Sequence, residues 1–173
     1  YAKLKTRFKQ VQFMKNNLLF NNANPNNSEN PDNSEILPLT FDDMRDLIKN
    51  GHYIGSHTLN HKRLSELNSK KDLKNEIFVS KVVLEKELNT QINHFAYPFG
   101  DINSISSEAM KLANQHYKYV HSGVRGINYP SVNKHALRRE PLSLNDNIMY
   151  NNFLVNNGLS LLYRKKRSLL DSL

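Results

Sequence analysis

From residue 40 onward, short apolar segments alternate with longer stretches of helical periodicity, and this alternation limits the fold more than any other feature. The apolar positions predict four helices, at residues 40–50, 72–89, 104–116 and 147–170. Aromatic and β-branched residues between them predict three strands, at residues 52–56, 94–97 and 117–122. Helices alternating with strands in this way favour an α/β fold with parallel strands.

The first 39 residues show a different pattern. Apolar residues recur at helical spacing between Leu4 and Leu18, which predicts an amphipathic helix over the first twenty residues. Residues 21–38 are rich in Asn, Ser and Pro without periodicity, which is typical of a loop. We therefore predict a helix and a loop over residues 1–39 and one α/β domain over residues 40–173.

Charge and cysteine content narrow the classes of site and partner. The chain carries 24 Lys and Arg against 16 Asp and Glu, with basic clusters at residues 1–28 and 164–167. These clusters either are solvated or attract an anionic partner, but aromatic residues do not alternate with them, so nucleic acid is not an expected partner. The chain has no Cys, so any metal site must use N and O ligands. No apolar stretch approaches the roughly 18 residues of a membrane span, so no transmembrane segment is predicted.

Residues 57–61 (H-T-L-N-H) carry two histidines four positions apart, directly after a predicted strand. On a helical turn, side chains at i and i+4 share one face, so both imidazoles can reach one divalent ion at about 2.0–2.1 Å. The carboxyl ends of strands are also where α/β proteins assemble their sites. The spacing favours a metal site at His57 and His61, and the alternative is an accidental pair among seven histidines.

Residues 95–100 (F-A-Y-P-F-G) form the second motif, at the end of the next predicted strand. Pro98 fixes one backbone angle and Gly100 permits unusual ones, so this turn can direct a backbone N–H inward. Such an N–H can donate to an oxyanion that develops during acyl transfer. The alternative is an ordinary turn that ends a strand and buries two aromatic residues.

Together, the two motifs resemble those of the NodB-like polysaccharide deacetylases, whose signatures are H-[ST]-x-x-H and R-x-P-Y-G. The resemblance covers roughly residues 40–139. It implies a distorted (β/α) barrel, a divalent metal, usually zinc, that is held by one Asp and two His, and removal of the acyl group from an N-acetylated sugar. By the same resemblance, the metal ligands are His57 and His61, the oxyanion donor is the Phe99 N–H, and the substrate contacts are Tyr97, Pro98 and Arg139. The alternative for Arg139 is a solvent-exposed ion pair.

The chain also departs from the family pattern. Ala96 stands where the family has Arg, and Phe99 stands where it has Tyr. Residues 40–43 (T-F-D-D) match the piece that supplies the family's two aspartates, yet they lie only fifteen positions before His57. Because a strand–helix–strand unit needs about 30 residues, we expect these acids to begin a helix. The resemblance then implies that the catalytic aspartates lie upstream in a longer protein, or that a catalytic half has been lost.

The resemblance thus implies a metal-dependent hydrolase that removes N-acetyl groups from an amino-sugar polysaccharide or glycan, and it leaves open whether the protein acts in the cytoplasm or the envelope of a bacterial cell. No Leu-His-Leu piece supplies the family's general acid, and His135 is the nearest candidate. Two alternatives stay open: a catalytically inactive carbohydrate-binding relative, and a basic anion-binding module. An upstream acid pair on a strand favours the enzyme, and binding that weakens steeply with salt favours the module.

Overall fold

The computed structural model describes residues 38–143 and 145–172, so the predicted helix over the first twenty residues lies outside the described residues. A boundary between two compact units falls between Met44 and Arg45, and only residues 38–44 of the first unit are described. The elements are α1 (Phe41–Lys49), β1 (Gly55–Ser56), α2 (Lys70–Lys74), α3 (Ser80–Leu88), β2 (His94–Ala96), α4 (Ser107–His116), β3 (Tyr119–His121), α5 (Ile148–Val155) and α6 (Ser160–Ser172).

The three strands form one parallel sheet in the order β1-β2-β3, which confirms the predicted α/β arrangement. Ser56 is in register with Phe95, and Phe95 with Val120. A bridge between His121 and Leu137 adds one further parallel pairing beside β3. The described residues therefore form a three-stranded parallel sheet, which is consistent with part of the incomplete, distorted (β/α) barrel that the resemblance implied but does not show a barrel.

Helix α1 begins where the sequence predicted, and residues 40–43 form the cap at its start. The Thr40 hydroxyl accepts a hydrogen bond from the Asp43 N–H (3.1 Å), and the Asp43 carboxylate accepts one from the Thr40 N–H (2.7 Å). The Thr40 hydroxyl also donates to the Asp43 carboxylate (2.6 Å), and this bond, followed by the one from the Thr40 N–H, lowers the pKa of Asp43. Gly51 ends the helix with a positive φ of 85°. The two aspartates that match the family's T-F-D-D piece thus lie at a helix start, as expected.

The predicted helix over residues 72–89 is confirmed, with an irregular centre. Ser69 caps its start by accepting from the Asp72 N–H, and Asn89 ends it in a left-handed conformation. Between α2 and α3 the backbone makes one π-helical turn, Asn75–Val79. A π-helical turn disrupts the regular i to i−4 pattern and often occurs at functional sites.

The sheet and helices enclose a core centred on Phe95. Its ring lies 4.9 Å from the Tyr117 ring and 5.1 Å from the Tyr97 ring, centroid to centroid. Ile77 and Ile92 are also completely buried. Since Phe95 faces this core, its strand neighbours His94 and Ala96 face the opposite side of the sheet.

Two predicted elements differ from the structure. Strand β1 is shorter than residues 52–56, and Tyr53, which was predicted to lie in it, is largely exposed. The predicted helix over residues 147–170 is two helices, because Asn157 adopts a positive φ of 63° between α5 and α6. In the described part of the chain, no helix combines the length and apolarity needed to span a membrane.

The buried core predicts the cost of removing one methyl group. Ile92 is 0% exposed, so Ile92→Val should lower the free energy of unfolding by about 0.5–1.5 kcal/mol. Val82→Ala, at a position of α3 that is 44% exposed, should change it by less than about 0.5 kcal/mol. Urea denaturation followed by circular dichroism measures both values, and an Ile92→Val protein as stable as the wild type would contradict this packing.

Candidate functional site

The candidate site lies at the sheet edge where the three strands end. Because the strands are parallel, their carboxyl ends meet at one edge. His57 directly follows β1, the turn at residues 97–100 follows β2, and Ser122 follows β3. The two motifs that the sequence analysis singled out therefore lie side by side.

His57 and His61 converge on this edge, although by a different local geometry from the one predicted. Their ring centroids are 4.8 Å apart at an interplanar angle of 71°. Residues 57–61 form a loop and not a helical turn, because Thr58 and His61 adopt positive φ values of 67° and 54°. The His61 N–H donates to the Thr58 hydroxyl (3.0 Å), which closes the loop. Two left-handed residues thus bring the rings together.

A hydrogen bond joins the histidine loop to the second motif. The His57 Nδ1 lies 2.7 Å from the Ala96 carbonyl oxygen. A carbonyl oxygen can only accept, so Nδ1 carries a proton, and in the neutral ring the lone pair is therefore on Nε2. Metal-binding histidines are oriented in this way, with one ring N–H donated to a carbonyl or carboxylate. The ring is therefore in the tautomer that a metal ligand requires.

The donor set fits a divalent metal at two coordination positions. Imidazole nitrogens are preferred ligands of zinc, and both histidines are exposed at the edge of the sheet. Within residues 38–143 and 145–172, no group of three or more His, Asp or Glu residues is placed to hold a metal ion. His57 and His61 could thus supply two ligands, and the described residues offer no third beside them.

Phe99 lies against the histidine pair. Its ring centroid is 5.1 Å from that of His61, and the residue is 55% exposed. Its backbone is left-handed, with a φ of 62°, and so is that of Gly100, with a φ of 66°. Among the described residues, the Phe99 N–H has no hydrogen-bond acceptor, whereas the next N–H, that of Gly100, donates to the Pro98 carbonyl (2.6 Å). The Phe99 N–H is thus available as a donor, on the residue whose ring contacts His61.

Arg63 supports the Phe99 ring. Its guanidinium carbon lies 4.6 Å from the ring centroid, which is a cation–π contact. The same guanidinium contacts the carboxylate of Asp101 at 3.3 Å and the hydroxyl of Ser104. Hydrogen bonds from Ser104 and from the Asn103 N–H, together with the Arg63 charge, lower the pKa of Asp101. Arg63, Asp101 and Ser104 thus hold the Phe99 ring in place.

Arg139 lies beside the other end of the turn. Its Nε donates to the Ser122 carbonyl (2.5 Å). The Gly123 N–H donates to the Gly100 carbonyl (2.6 Å), and a Cβ on Gly100 would lie 2.5 Å from the Gly123 nitrogen. Only glycine permits this approach, so Gly100 brings the turn, the loop after β3 and Arg139 together.

The structure places Tyr97 and Pro98 beneath the site surface. Both side chains are completely buried, and burial raises the pKa of Tyr97. Their side chains therefore support the turn from within the core. Contact with a substrate from these two positions would have to come from the backbone.

A second histidine pair occupies the face of the sheet opposite Phe95. The His94 Nδ1 and the His121 Nε2 are 3.0 Å apart, and His94 also stacks on Tyr119. Burial, followed by the charges of His94 and Arg139, lowers the pKa of His121. The sequence analysis missed this pair, although the alternation of residues along β2 and β3 contained the signal: His94 and His121 alternate with the buried Phe95 and Val120.

The sequence analysis also missed Arg63, Asp101 and Glu76. Glu76 had a readable signal, because an acidic residue stands among Leu73, Ile77 and Ser80 on the buried face of the helix. Arg63 and Asp101 had none, since their contact joins two loops that are 38 residues apart.

Comparisons with known proteins indicate the family and the fold of this chain. The model of the polysaccharide deacetylase family matches residues 19–118, which include His57, His61 and Phe99. No curated protein matches the chain.

Solved structures show a similar fold. The Streptococcus pyogenes deacetylase PplD, solved in complex with acetate, is 26% identical over 61% of this chain and 46% of its own, with a TM-score of 0.55. A Bacillus anthracis protein assigned to the polysaccharide deacetylases is 20% identical over 60% of this chain and 32% of its own, with a TM-score of 0.50. The chain therefore spans less than half the length of either structure.

The cluster beneath Phe99 predicts a pH-dependent contribution to stability. The pKa of Asp101 is lowered from its ordinary 3.8, so its stabilising contacts are fully present above that pH and disappear as the pH falls through the lower, folded-state pKa. Asp101→Asn should therefore lower the free energy of unfolding at about pH 7, and its difference from the wild type should shrink in acid. Urea denaturation at a series of pH values measures this difference.

Asp46→Asn is a matched control, because the Asp46 carboxylate pairs with Lys49 and both side chains are exposed. It should have little effect at any pH. A difference between wild type and Asp101→Asn that stays constant from neutral to acid pH would contradict the role given to Asp101.

Proposed function

Because the chain belongs to the polysaccharide deacetylase family, we propose that it forms part of a metal-dependent hydrolase that removes N-acetyl groups from an amino-sugar polysaccharide. One observation carries the proposal. The His57 and His61 rings converge 4.8 Å apart, and the exposed Phe99, whose N–H is the candidate oxyanion donor, lies beside them. Two metal ligands and one oxyanion donor are among the groups that a metal enzyme must bring together to hydrolyse an amide.

The two histidines would hold the metal, which we propose to be zinc. His57 would bind through Nε2, since its Nδ1 donates to the Ala96 carbonyl. The chemistry that zinc supplies when bound is a lowered pKa of water and polarisation of a carbonyl oxygen. The donation to Ala96 also fixes the ring orientation, so the ligand is already in place before a metal arrives.

Phe99 would act through its backbone. An N–H near the ligand pair can donate to the oxygen that becomes negative when water attacks the acetamide carbon, which is worth about 3–4 kcal/mol for a well-placed donor. Arg63 and Asp101 would hold the Phe99 ring and with it the peptide unit. Replacement of the family's Tyr by Phe at this position leaves that N–H unchanged.

A carboxylate ligand and a general base are still required. We assign both to aspartates outside the described residues, upstream of the histidine loop, because Asp42 and Asp43 lie in the first turn of α1. The base would take the proton from the attacking water. His135 remains the candidate for the general acid. Its backbone N–H donates to the side-chain oxygen of Asn133 (2.9 Å).

Substrate contacts are assigned to the rim of the turn. Arg139 could donate to sugar hydroxyls from its place beside Gly100. Tyr97 and Pro98 would contribute through backbone atoms, because their side chains are buried. We propose an N-acetylated sugar or polysaccharide as the substrate.

A non-catalytic carbohydrate-binding relative is the second candidate function. It is favoured by Ala96, which replaces the arginine that the family uses to orient its catalytic acid. A protein of this type would bind the glycan without releasing acetate.

Removing either histidine tests the proposal. In the full-length protein, His57→Ala and His61→Ala should each weaken zinc binding by more than the roughly 10- to 100-fold that loss of a ligand's hydrogen-bond partner costs. Acetate release from an N-acetylated glycan should fall with zinc content. Competition with a chromogenic chelator measures the affinity, and an enzyme-coupled assay measures acetate.

His52→Ala is the matched control, since His52 is an exposed histidine on the amino side of β1, away from the site. It should retain zinc and activity. Wild-type zinc affinity in both the His57 and His61 variants would contradict the proposed site, and zinc binding without acetate release by the wild type would favour the non-catalytic relative.

A further inference from the structure

We propose that Glu76 is a positioning residue that holds the histidine loop, residues 57–61, in its metal-binding conformation. This inference rests on the proposed function, because it concerns the same two imidazoles. Glu76 lies on the π-helical turn Asn75–Val79, sixteen residues beyond Asn60. It acts on the ligands through the backbone between them.

The carboxylate of Glu76 is buried and directed at the loop. The residue is 2% exposed. One carboxylate oxygen accepts hydrogen bonds from the Leu59 N–H (3.1 Å) and the Asn60 N–H (2.8 Å), and the other accepts one from the Asn60 side-chain amide (2.6 Å). A buried carboxylate is costly unless it is hydrogen-bonded, so these three donors and Glu76 stabilise each other.

The loop needs such support because its backbone is strained. Thr58 and His61 both have positive φ, a conformation that side chains with a Cβ disfavour. Leu59 and Asn60 lie between these two residues, and it is their N–H groups that Glu76 binds. The carboxylate therefore stabilises the segment that the strained residues flank, and this segment sets the distance between the two rings.

The same helix also holds the residue that precedes His57 in the chain. The Ser80 hydroxyl donates to the Ile77 carbonyl (2.9 Å), so the buried Ser56 hydroxyl, 2.9 Å away, donates to Ser80. The Tyr117 hydroxyl donates to the same carbonyl (2.7 Å). Ser56 directly precedes His57, so contacts from this part of the helix hold the chain both before and after the first ligand.

These contacts also distinguish Glu76 from a metal ligand. Both of its oxygens accept N–H groups of the loop, so its lone pairs are directed at the loop's own donors. Glu76 thus orders the ligands without binding the ion. A hydrogen-bond partner that orients ligands is expected to change metal affinity by about 10- to 100-fold.

The test is zinc affinity of the full-length protein, measured by competition with a chromogenic chelator. Glu76→Ala should bind zinc about 10- to 100-fold more weakly than the wild type. Hydrogen exchange at the Leu59 and Asn60 amides should accelerate in the same variant, with no metal present.

Glu85→Ala is the matched control. Glu85 lies on α3, and its carboxylate likewise accepts a backbone N–H, that of Ile92 (3.0 Å), and pairs with Lys81. It therefore loses a comparable set of contacts on the same helix without touching the histidine loop. Zinc affinity should be unchanged in this variant even where its melting temperature falls.

A reciprocal exchange keeps the test informative if Glu76→Ala folds poorly. Asn60→Asp alone places two carboxylates in contact and should weaken zinc binding. Adding Glu76→Gln should restore it, because the carbonyl oxygen of the introduced amide can accept the two backbone N–H groups while its NH₂ group donates to the new carboxylate at position 60. A merely structural role would not predict recovery of zinc affinity in the double variant.

Wild-type affinity in Glu76→Ala, or losses equal to those of Glu85→Ala, would overturn the positioning role while leaving the proposed function intact. Failure of the double variant to recover affinity beyond Asn60→Asp would also overturn it. Absence of zinc binding by the wild type would contradict the proposed function itself, and with it this inference.

Discussion

The hydrogen bond from the His57 ring to the Ala96 carbonyl oxygen is the contact on which the candidate site depends. It joins the end of β1 to the end of β2 and so connects two motifs that are 39 residues apart. It also requires a proton on Nδ1, which leaves Nε2 as the ring nitrogen that can bind a metal. The parallel register of the strands makes the bond possible, because it places Ser56 beside Phe95.

Much of the fold could be predicted from the sequence because local features, such as helix caps, agree with the tertiary structure. The capping box at Thr40 and Asp43, the Ser69 cap and the aromatic strand at residues 94–97 each have a local cause. The approach of His57 to His61 was also anticipated, but for the wrong reason. A helical turn and a loop with two left-handed residues can both bring the two rings together. Neither Thr58 nor His61 is a residue type whose local sequence predicts a positive φ.

The parts that sequence reasoning could not supply depend on contacts between distant residues. Arg63 meets Phe99 and Asp101 only once the loops are folded, and the short β1 reflects tertiary packing that leaves Tyr53 in solvent. Glu76 is intermediate. Its position on a buried helix face could be seen, but its partners, the Leu59 and Asn60 N–H groups, could not. The residues that support the site are thus harder to predict from the sequence than the candidate metal ligands.

The proposed site requires that His57 and His61 bind one metal ion together. X-ray absorption spectroscopy of the zinc-loaded, full-length protein tests this directly, because scattering from imidazole rings is distinct from that of carboxylate or water. We expect two imidazole ligands at about 2.0–2.1 Å from zinc, and the loss of one in each histidine variant. A spectrum without imidazole ligands, or one unchanged by either substitution, would contradict it.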